Sequence, residues 1–570
     1  MAPDWYSSTF FNWHVDYHVR PHSTTGAGMT ADRLRSILER VRPDMVQVDA
    51  KGHPGLASYP TRVGAVSENY ARDTLRIYRD VTRELGLPLS LYYSTLVDNL
   101  AGERHPEWCI VKADGSLDTW FSETLWSRLC FNGGYVAEYM LPQLREIIHD
   151  YEPDGFWLDG DPFTARLCYC SACQAQFQAR TGQSLPKEPS STLWPEALRF
   201  LRDSYTAYVQ RVCDEIHAAR PGCQVAINWL QTLRSPGLAL GTTDWLSGDV
   251  PVSRSATAAS AEARYIAAQD CPGDIMICQF TVDEAWERLY YKSPDHQAQE
   301  AAVVMANGAR VFVWTSPMLD GSIHDDAVDL LIETAAFIRA RQPWSQATTS
   351  IPNLALYLPQ APFTRSAQLR DEPPELKRVL AAQQWLVRAG WHHDIVSDHQ
   401  LAGLARWPVV LAASLSDLAA GAVARLTEYV QAGGRLLTSA PVEASPDGPV
   451  RPDLALLTGV ESASETGRQI VRTDVLGKPT RAFYDYWQLA GPRLTAHGVL
   501  YDAQTGSPLD GTPEWVSHSL GQGQVVTLCG DLFGAYDRVP APVLGAMPSG
   551  PCAIYNRRRW PNCSRRDRWK

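Results

Sequence analysis

The sequence predicts an α/β protein with a (β/α)8 barrel over residues 1–345, a flavodoxin-like α/β domain over 351–447 and a small β-rich domain over 448–550. From residue 8 to about 340, short apolar runs rich in β-forming residues alternate with longer amphipathic stretches, which is typical of βα units around a parallel sheet. The length of 570 residues exceeds what one hydrophobic core normally serves. Pro, Ser and Thr interrupt the alternation at RQPWSQATTSIPNL, so we place a domain boundary near Ile351.

The first part of the chain contains eight candidate strands. The stretches between them, such as residues 71–85, carry apolar side chains at helical spacing and polar ones opposite, which predicts covering helices. Eight such units match a (β/α)8 barrel with insertions, and the active sites of these barrels lie at the C-terminal ends of the strands. The candidate strands are STFFNWHV, DMVQVDA, LPLSLYYS, DGFWLDG, QVAINWL, TDWLSGDV, DIMICQFT and ARVFVWTS.

The rest of the chain alternates again and then changes character. The strands LALYLP, WHHDIVS, WPVVLAAS and GRLLTSAP are separated by helical patterns, which predicts a doubly wound α/β domain. Beyond about residue 448, short strands with turn signals, such as SLGQGQVVTLCG, indicate a β-rich ending. The stretch 551–570 is strongly basic and has no periodicity, so we expect a disordered tail.

The composition excludes several classes of function. Hydrophobic residues at 45% and charged residues at 20% describe an ordinary globular protein. The net charge of -11 is spread along the chain and disfavours a nucleic-acid partner, because phosphate binding needs clustered Lys and Arg. No run of about 18 apolar residues and no secretory signal is present, so we expect no membrane partner and a cytoplasmic protein whose cysteines are thiols or metal ligands. The 19 Trp and 23 Tyr provide flat faces that suit sugar rings.

Polar residues end or follow several of the candidate barrel strands, where an apolar strand has no structural need for them. Their convergence on one face of a barrel predicts an active site, although a single strand-end Asp can also serve as a helix cap. Two carboxylates facing each other are what glycosidic cleavage requires, and a separation of about 5 Å favours retention of configuration. These residues are His14, Asp16, Lys51, His53, Tyr92, Tyr93, Asp159, Asp249, Asp283 and Glu284.

Four segments resemble α-L-fucosidases in collinear order over about the first 330 residues. VQVDAKGHPGLASYPT resembles the lysine-histidine signature after the second strand of that family, and LGLPLSLYYSTLVD is similar to its third-strand segment. PQLREIIHDYEPDGFWLDG resembles the helix and fourth strand that deliver the nucleophile, and YYKSPDHQAQEAAVVMANGARVFVWTSPMLDGSI resembles the closing strand. The resemblance implies a retaining exo-glycosidase that acts on an oligosaccharide or glycoside, with α-L-fucosidase as the leading activity.

The resemblance also implies roles for individual residues. Asp159 matches the nucleophile, and the pocket residues it implies are His14, His53, Tyr93 and Trp157. Asp249 and Glu284 remain equal candidates for the acid/base, while Asp161 is expected to support the nucleophile or cap a helix. The family signature has two adjacent histidines, whereas this chain has Gly52 before its histidine, which bears on the specificity for fucose.

A cysteine cluster resembles another group of glycosidases. Cys168, Cys170 and Cys173 lie within six residues, so their thiolates can face one Zn²⁺, although reduced thiols without metal are the alternative. The arrangement resembles the cluster of barrel-type β-galactosidases, which implies Cys130 as a fourth ligand and a structural zinc rather than a catalytic cofactor.

Those β-galactosidases carry an α/β domain similar to residues 351–445 that helps to assemble trimers, which implies a homo-oligomer, either a dimer or a trimer. Their fourth strand supplies an Asn-Glu acid, whereas this chain has Asp159 followed by Gly160, so the fucosidase resemblance decides the predicted site. A β-galactosidase-like or other exo-glycosidase and a non-catalytic carbohydrate-binding barrel are the alternatives.

Overall fold

The computed structural model describes residues 4–118, 127–237, 243–252, 255–282, 289–442, 447–473, 480–502, 504–509 and 512–538. The chain divides into two compact units. Unit 1 comprises Met1–Ile351 and Gln360–Leu376, and unit 2 comprises Pro352–Pro359 and Lys377–Lys570. The predicted basic tail, 551–570, lies outside the described residues. Among the described helices, none is both long enough and apolar enough to cross a bilayer.

Unit 1 is built on eight parallel strands, and every one of the eight candidate strands forms. Neighbours follow the order β5-β4-β3-β2-β1-β8-β7-β6, and a parallel bridge between Asn228 and Ser247 joins the two end strands. This confirms the predicted (β/α)8 barrel. The strands are β1 (Phe11–Val15), β2 (Met45–Lys51), β3 (Leu89–Ser94), β4 (Gly155–Asp159), β5 (Gln224–Ile227), β6 (Leu246–Asp249), β7 (Gly273–Cys278) and β8 (Arg310–Thr315).

Helices cover the outside of the barrel between successive strands. The principal ones are α1 (Ala31–Val41), α2 (Thr74–Glu84), α3 (Leu141–Tyr151), α4 (Trp194–Ala219), α5 (Ser255–Ala267), α6 (Pro294–Ala306) and α7 (Asp325–Ser345). Between β5 and β6, the described residues form no helix. Side-chain caps start several helices, as where Thr30 accepts from the Arg33 N–H at α1 and Asp73 accepts from the Arg76 N–H at α2.

Shorter elements fill the loops of unit 1. The helical turns are Tyr6–Ser8, Asn99–Arg104, Pro106–Trp108, Val136–Met140, Asp161–Thr164 and Ala361–Thr364, a further α-helix spans Ser171–Thr181, and the short strands are Leu56–Ala57, Ala65–Val66, Phe280–Val282 and Leu289–Tyr291. The segment Gln360–Leu376 belongs to unit 1, and residues 367–370 run beside residues 162–167 through backbone hydrogen bonds.

The period of two along each strand decides which residues reach the barrel interior. Along β4, Phe156 and Leu158 belong to the core between barrel and helices, whereas Trp157 belongs to a separate apolar cluster inside the barrel. The interior cluster comprises Tyr6, Met45, Tyr92, Trp157, Ala226, Trp245, Met276 and Phe312. Two residues farther along β3, β4 and β5, the inward positions are occupied by the polar residues Ser94, Asp159 and Asn228. The apolar interior cluster therefore ends at this side of the barrel where the strand-end residues begin.

Unit 2 contains a sheet with five parallel strands in the order 2-1-3-4-5, which is the flavodoxin-like arrangement. These strands are β9 (Leu354–Leu358), β10 (His393–Ser397), β11 (Val409–Ala412), β12 (Arg435–Ser439) and β14 (Gly523–Leu528). The antiparallel strand β13 (Trp515–Leu520) and the short strand Thr495–His497 extend the same sheet. The predicted flavodoxin-like α/β fold is therefore confirmed.

The remaining elements of unit 2 are helical segments and a small antiparallel sheet. The helices are α8 (Pro374–Arg388), Asp398–Arg406, α9 (Ala420–Gln431), α10 (Pro452–Thr458) and α11 (Leu532–Arg538), of which α8 begins in the last residues of unit 1. The small sheet comprises Asp447–Pro449, Ser462–Thr473, Thr480–Ala490 and Tyr501–Asp502. Because β14 lies beside β12, the chain beyond residue 448 contributes to the main sheet as well as to a β-rich part.

Candidate active site

Asp159 ends β4 and points into the mouth of the barrel. Its Oδ1 accepts hydrogen bonds from Asn228 Nδ2 at 3.0 Å and from the Gly160 N–H at 2.7 Å, while its Oδ2 accepts from the Tyr92 hydroxyl at 2.8 Å. Thr95 donates to the Asp159 carbonyl through its backbone N–H. Gly160 has a φ of +94°, a conformation that glycine adopts without strain and that turns the chain directly after the carboxylate. The carboxylate is therefore held in one orientation by three donors.

Asp249, at the end of β6, lies beside Asp159. The same nitrogen, Asn228 Nδ2, donates to Asp249 Oδ1 at 3.2 Å and to Asp159 Oδ1 at 3.0 Å. The two oxygens therefore lie no farther apart than these two bonds laid end to end, which is about 6 Å. Burial, and then the negative charge of Asp159, raise the pKa of Asp249 from 3.8 to about 6. The barrel mouth thus holds two adjacent carboxyls, one of which retains its proton into the weakly acidic range.

Asp16 and Asp49 form a second buried pair of carboxyls next to the first. Burial raises the pKa of Asp49 to about 7, and burial together with Asp49 raises the pKa of Asp16 well above its usual range. Asp49 Oδ1 is buried without a hydrogen-bond partner among the described residues, whereas Asp16 Oδ1 lies 3.0 Å from His18 Nε2. His14, Asp16 and Asp49 present ligand atoms within 4.8 Å of one another, so they could hold a cation as well as sugar hydroxyls.

The histidines around the mouth are neutral, because burial lowers the pKa of His53 to about 3 and lowers those of His14 and His18 well below 6.5. Ser94 donates to the Val97 carbonyl, so the 2.6 Å contact between Ser94 Oγ and His53 places the proton on His53 Nδ1. His53 Nε2, 3.5 Å from Asp159 Oδ2, is consequently an acceptor.

His14 takes the opposite tautomer. Gln47 accepts from Ser90 through its oxygen and therefore donates to His14 Nδ1 through its nitrogen, at 3.1 Å. The proton of His14 then lies on Nε2, which faces Asp49 at 3.9 Å. One histidine of the pocket accepts and the other donates.

His18 fills the space next to His53 that Gly52 leaves free. A Cβ at residue 52 would lie 2.7 Å from His18 Nδ1, and the two imidazole rings are 4.7 Å apart between centroids. The His53 N–H donates to His18 Nδ1 at 3.2 Å. A second histidine is therefore present beside His53, although it comes from the loop after β1 rather than from position 52.

Tyr93 is not part of the mouth, and here the sequence prediction was wrong. Its hydroxyl donates to Gln143 in the layer between barrel and helices, and Lys51 Nζ lies 4.5 Å from its ring centroid. Lys51 is itself fully buried and paired with Asp98 at 2.6 Å. Because successive strand residues face opposite sides, Tyr92 takes the inward position that we had given to its neighbour.

The other predicted residues are placed as follows. Trp157 lies one inward step below Asp159, where its indole N–H donates to Ser247 at 2.7 Å, so it forms the floor of the mouth. Asp161 accepts from Thr95 and Tyr208, and burial raises its pKa to about 7. Glu284 lies outside the described residues.

Two residues of this site carried no signal that we used. Asn228 is a neutral residue at the end of β5, and Asp49 lies inside the apolar run of β2. Both occupy inward positions of period two, Asp49 two residues before the end of β2 and Asn228 directly after β5, so counting alternate positions along every barrel strand would have found them.

The four predicted zinc ligands come together in unit 1. Their sulfur atoms lie within 4.8 Å of one another, with 3.5 Å between Cys130 and Cys173 and 3.7 Å between Cys130 and Cys170. Tetrahedral zinc with Zn–S bonds of about 2.3 Å requires sulfur atoms roughly 3.8 Å apart. Backbone N–H groups of Val111 and Cys170 both point to Cys168 Sγ at 3.4 Å. The cluster fits a metal ion.

Comparisons with known proteins give a family-model match and matches to solved structures. A family model described as hypothetical glycosyl hydrolase 6 matches residues 30–160, a range that includes Asp49, His53, Tyr92 and Asp159. The chain is similar to α-L-fucosidase isoenzyme 2 from Paenibacillus thiaminolyticus, with a TM-score of 0.77 and 19% identity, covering 96% of this chain and 83% of that chain. The fold is that of glycoside hydrolases.

Solved β-galactosidases share this glycoside hydrolase fold. The enzyme from Rahnella sp. R3 has a TM-score of 0.69 and 15% identity, with 93% of this chain and 87% of that chain covered. The enzyme from Halorubrum lacusprofundi has a TM-score of 0.67 and 17% identity, with 94% and 89% covered. A comparison with curated proteins gives no match. The likeness extends over both units of the chain, not over the barrel alone.

Proposed function

We propose that this protein is a retaining exo-glycosidase, that its sugar is α-L-fucose, and that Asp159 is the nucleophile and Asp249 the acid/base. One observation carries the proposal: a single amide nitrogen, Asn228 Nδ2, bonds both carboxyls and keeps their oxygens within about 6 Å. Retaining enzymes hold their two carboxyls roughly 5–5.5 Å apart, whereas inverting enzymes leave about 6.5–9.5 Å for a water molecule.

In the first step, an oxygen of Asp159 bonds to the anomeric carbon while the bond from that carbon to the leaving oxygen breaks. The protonated carboxyl of Asp249 gives its proton to the leaving oxygen, so the aglycone departs as a neutral alcohol. A pKa of about 6 keeps Asp249 protonated at weakly acidic pH. The product of the step is a glycosyl ester on Asp159.

The second step follows from the electrostatic coupling of the two carboxyls. The negative charge of Asp159 is one cause of the raised pKa of Asp249, and ester formation removes that charge. The pKa of Asp249 then falls, so Asp249 is ionised and accepts a proton from the water that attacks the anomeric carbon. Hydrolysis of the ester restores the charge on Asp159 and raises the pKa of Asp249 again.

The polar groups around the carboxyls are suited to the hydroxyls of one sugar ring. His53 Nε2 is an acceptor and His14 Nε2 is a donor, and both face the mouth. Asp49 Oδ1 is buried without a hydrogen-bond partner among the described residues, a costly arrangement that a sugar hydroxyl would relieve. A pocket that pairs every such group rejects sugars lacking a matching hydroxyl.

The choice of fucose rests on two observations. The barrel segments resemble α-L-fucosidases, and His18 supplies beside His53 the second imidazole that the signature has at the position of Gly52. The structural likeness to an α-L-fucosidase over 96% of this chain supports the same choice.

Hydrolysis of 4-nitrophenyl α-L-fucoside, next to a panel of other 4-nitrophenyl glycosides, tests the activity. We expect turnover of the fucoside, and proton NMR of the first product should show the α-anomer. Asp329→Asn, at an exposed position on α7, is the matched control for carboxylate variants. No turnover of any glycoside in the panel would contradict the proposal and favour a carbohydrate-binding barrel. A β-anomer as first product would rule out the retaining assignment.

A β-galactosidase-like activity is the second candidate, and the cluster of Cys130, Cys168, Cys170 and Cys173 favours it. Turnover of the β-galactoside in the panel, with none of the α-L-fucoside, would select this alternative. The assignment of Asp159 would then be tested by azide rescue of Asp159→Ala, since a retaining β-glycosidase gives an α-glycosyl azide.

We further propose that the cysteine cluster holds one structural Zn²⁺ and that unit 2 mediates a dimer or trimer. Four sulfur ligands leave no position for water, so the metal takes no part in the reaction. Metal analysis of the purified protein is expected to give one zinc per chain. Analytical ultracentrifugation is expected to give a single species of two or three chains, and a monomer at micromolar concentration would contradict the assembly.

A further inference from the structure

Two arginines hold the indole of Trp229 immediately beside the proposed acid/base. The guanidinium carbon of Arg370 lies 4.4 Å from the ring centroid of Trp229, and that of Arg234 lies 4.6 Å from it. The indole lies over Gly248, whose Cβ would be 3.8 Å from the ring, and Gly248 precedes Asp249 in β6. We call the side chains of Trp229, Arg234 and Arg370 the Trp229 platform. Because Trp229 follows Asn228, this platform adjoins the two carboxyls.

The backbone conformation of Trp229 is unusual for a bulky residue. Trp229 has a φ of +68°, a left-handed conformation that costs free energy for a bulky residue. The Arg370 N–H donates to the Pro162 carbonyl at 3.1 Å, which fixes Arg370 to the loop that follows Asp159. The backbone of Arg370 is thus anchored at the loop after Asp159, while its guanidinium contacts Trp229, which follows β5.

The two guanidinium groups differ in their partners. Arg234 is paired with Glu262 at 3.1 Å and with Glu372 at 3.0 Å. Arg370 is partly buried, and no described residue forms a hydrogen bond or ion pair with its guanidinium. Burial and the like charge of Arg234 both lower the pKa of Arg370. Its charge is nevertheless felt at Asp249, whose pKa it lowers. The charges of Asp249, Glu372 and Glu262 partly offset this lowering of the Arg370 pKa, but none of the three accepts a hydrogen bond from its guanidinium. A ligand anion would supply that acceptor.

We propose that Arg370, on the Trp229 platform, binds an anionic group on the leaving-group side of the substrate. This inference rests on the proposed function, because Asp249 protonates the glycosidic oxygen and groups beside it therefore face the aglycone. A guanidinium binds a carboxylate or a sulfate through paired N–H groups. The indole of Trp229 is buried and contacts both guanidinium groups, so its role is to fix the position of Arg370. The natural substrate is then a glycoside whose aglycone is acidic.

The test compares two aryl glycosides of the sugar that the panel identifies. One has a 3-carboxy-4-nitrophenyl aglycone, and the other has the methyl ester of the same aglycone, which is neutral. The wild type is expected to prefer the carboxylate in kcat/KM, and Arg370→Gln is expected to lower that preference roughly 10- to 100-fold. Arg370→Lys keeps the charge without the paired geometry and should retain part of it. Arg425→Gln, an exposed arginine of unit 2, is the matched control and leaves the ratio unchanged.

A purely electrostatic role of Arg370 at Asp249 predicts a different result. The pH above which kcat/KM declines would then be higher in Arg370→Gln, while the preference for the carboxylate substrate stayed the same. That outcome would overturn the proposal. The second measurement needs no turnover: a tryptophan fluorescence titration with inorganic sulfate at constant ionic strength. Saturable binding that is lost in Arg370→Gln supports the site even if no glycoside is cleaved, whereas equal titrations of both proteins contradict it.

Discussion

Both units of this protein contain a parallel sheet with helices, yet the residues that end the parallel strands differ. In unit 1, strands β4 and β6 end in Asp159 and Asp249, and β1 ends next to Asp16. In unit 2, the parallel strands end in Leu358, Ser397, Ala412, Ser439 and Leu528. A closed ring brings the ends of all its strands to one mouth, whereas an open sheet spreads them along a line about 4.8 Å apart per strand. Charged strand ends therefore accumulate only where closure lets them act together.

The largest effect should come from Asp159. Replacing Asp159 by Asn removes the attacking oxygen, so kcat is expected to fall by about 10⁴-fold or more. Circular dichroism and thermal unfolding of the variant should remain close to the wild type, since a buried negative charge has been removed. An undiminished kcat would show that the charged strand ends of unit 1 matter no more for activity than the uncharged strand ends of unit 2.

Asp249 should have the next largest effect and a pH signature. Because Asp249 must be protonated to act and its pKa is about 6, kcat/KM is expected to decline as the pH rises above about 6. Asp249→Asn should lower kcat roughly 10²- to 10⁴-fold for substrates with poor leaving groups, and much less for a 4-nitrophenyl glycoside. If kcat/KM declines in the same way in Asp249→Asn, the decline is caused by the titration of another group.

Asn228 sharpens the comparison, because it is a neutral residue that acts through the carboxyls. Asn228→Ala removes a hydrogen bond from each carboxylate, and kcat is expected to fall roughly 10- to 100-fold. The hydrogen bond from Asn228 favours the ionised form of Asp249, so its loss raises the pKa of Asp249. The decline of kcat/KM should then occur at higher pH. If kcat falls but the pH at which kcat/KM declines stays the same, Asn228 has a structural role alone.

The cysteine cluster should affect stability and metal content. Cys173→Ser is expected to lose the bound zinc and to lower the Tm by several degrees, because metal binding contributes to the free energy of folding. Cys271→Ser is the matched control, since Cys271 lies outside the cluster and should leave the zinc content unchanged. Equal metal content in both variants would exclude the site.

The smallest effect is expected at a strand end of unit 2. Ser397 ends β10, donates to the Leu358 carbonyl at 2.9 Å and caps the following helical turn. Ser397→Ala should cost about 1 kcal/mol of stability and leave kcat/KM as it is. A loss of activity comparable to that of Asn228→Ala would mean that strand ends in both units serve the reaction.

Much of the fold followed from local pattern. Six of the eight barrel strands lie inside the predicted apolar runs and the other two extend one residue beyond them, because the alternation of strand and helix is a property of neighbouring residues. The boundary near Ile351 missed the segment Gln360–Leu376, which belongs to unit 1. No periodicity in that segment signals its partner, since its backbone bonds join residues about 200 positions apart.

The sequence by itself determined the barrel, the strand-end carboxylate Asp159 and the three clustered cysteines, because period, residue type and close spacing are local quantities. Only the tertiary structure decided that Tyr92 rather than Tyr93 faces the mouth. It also placed His18 in the space that Gly52 leaves beside His53, and it brought Asn228 within hydrogen-bond distance of two carboxyls. It also decided the raised pKa of Asp249, whose causes are burial and a charge 90 residues away in sequence. These features depend on which distant groups meet, and a strand pattern does not encode that.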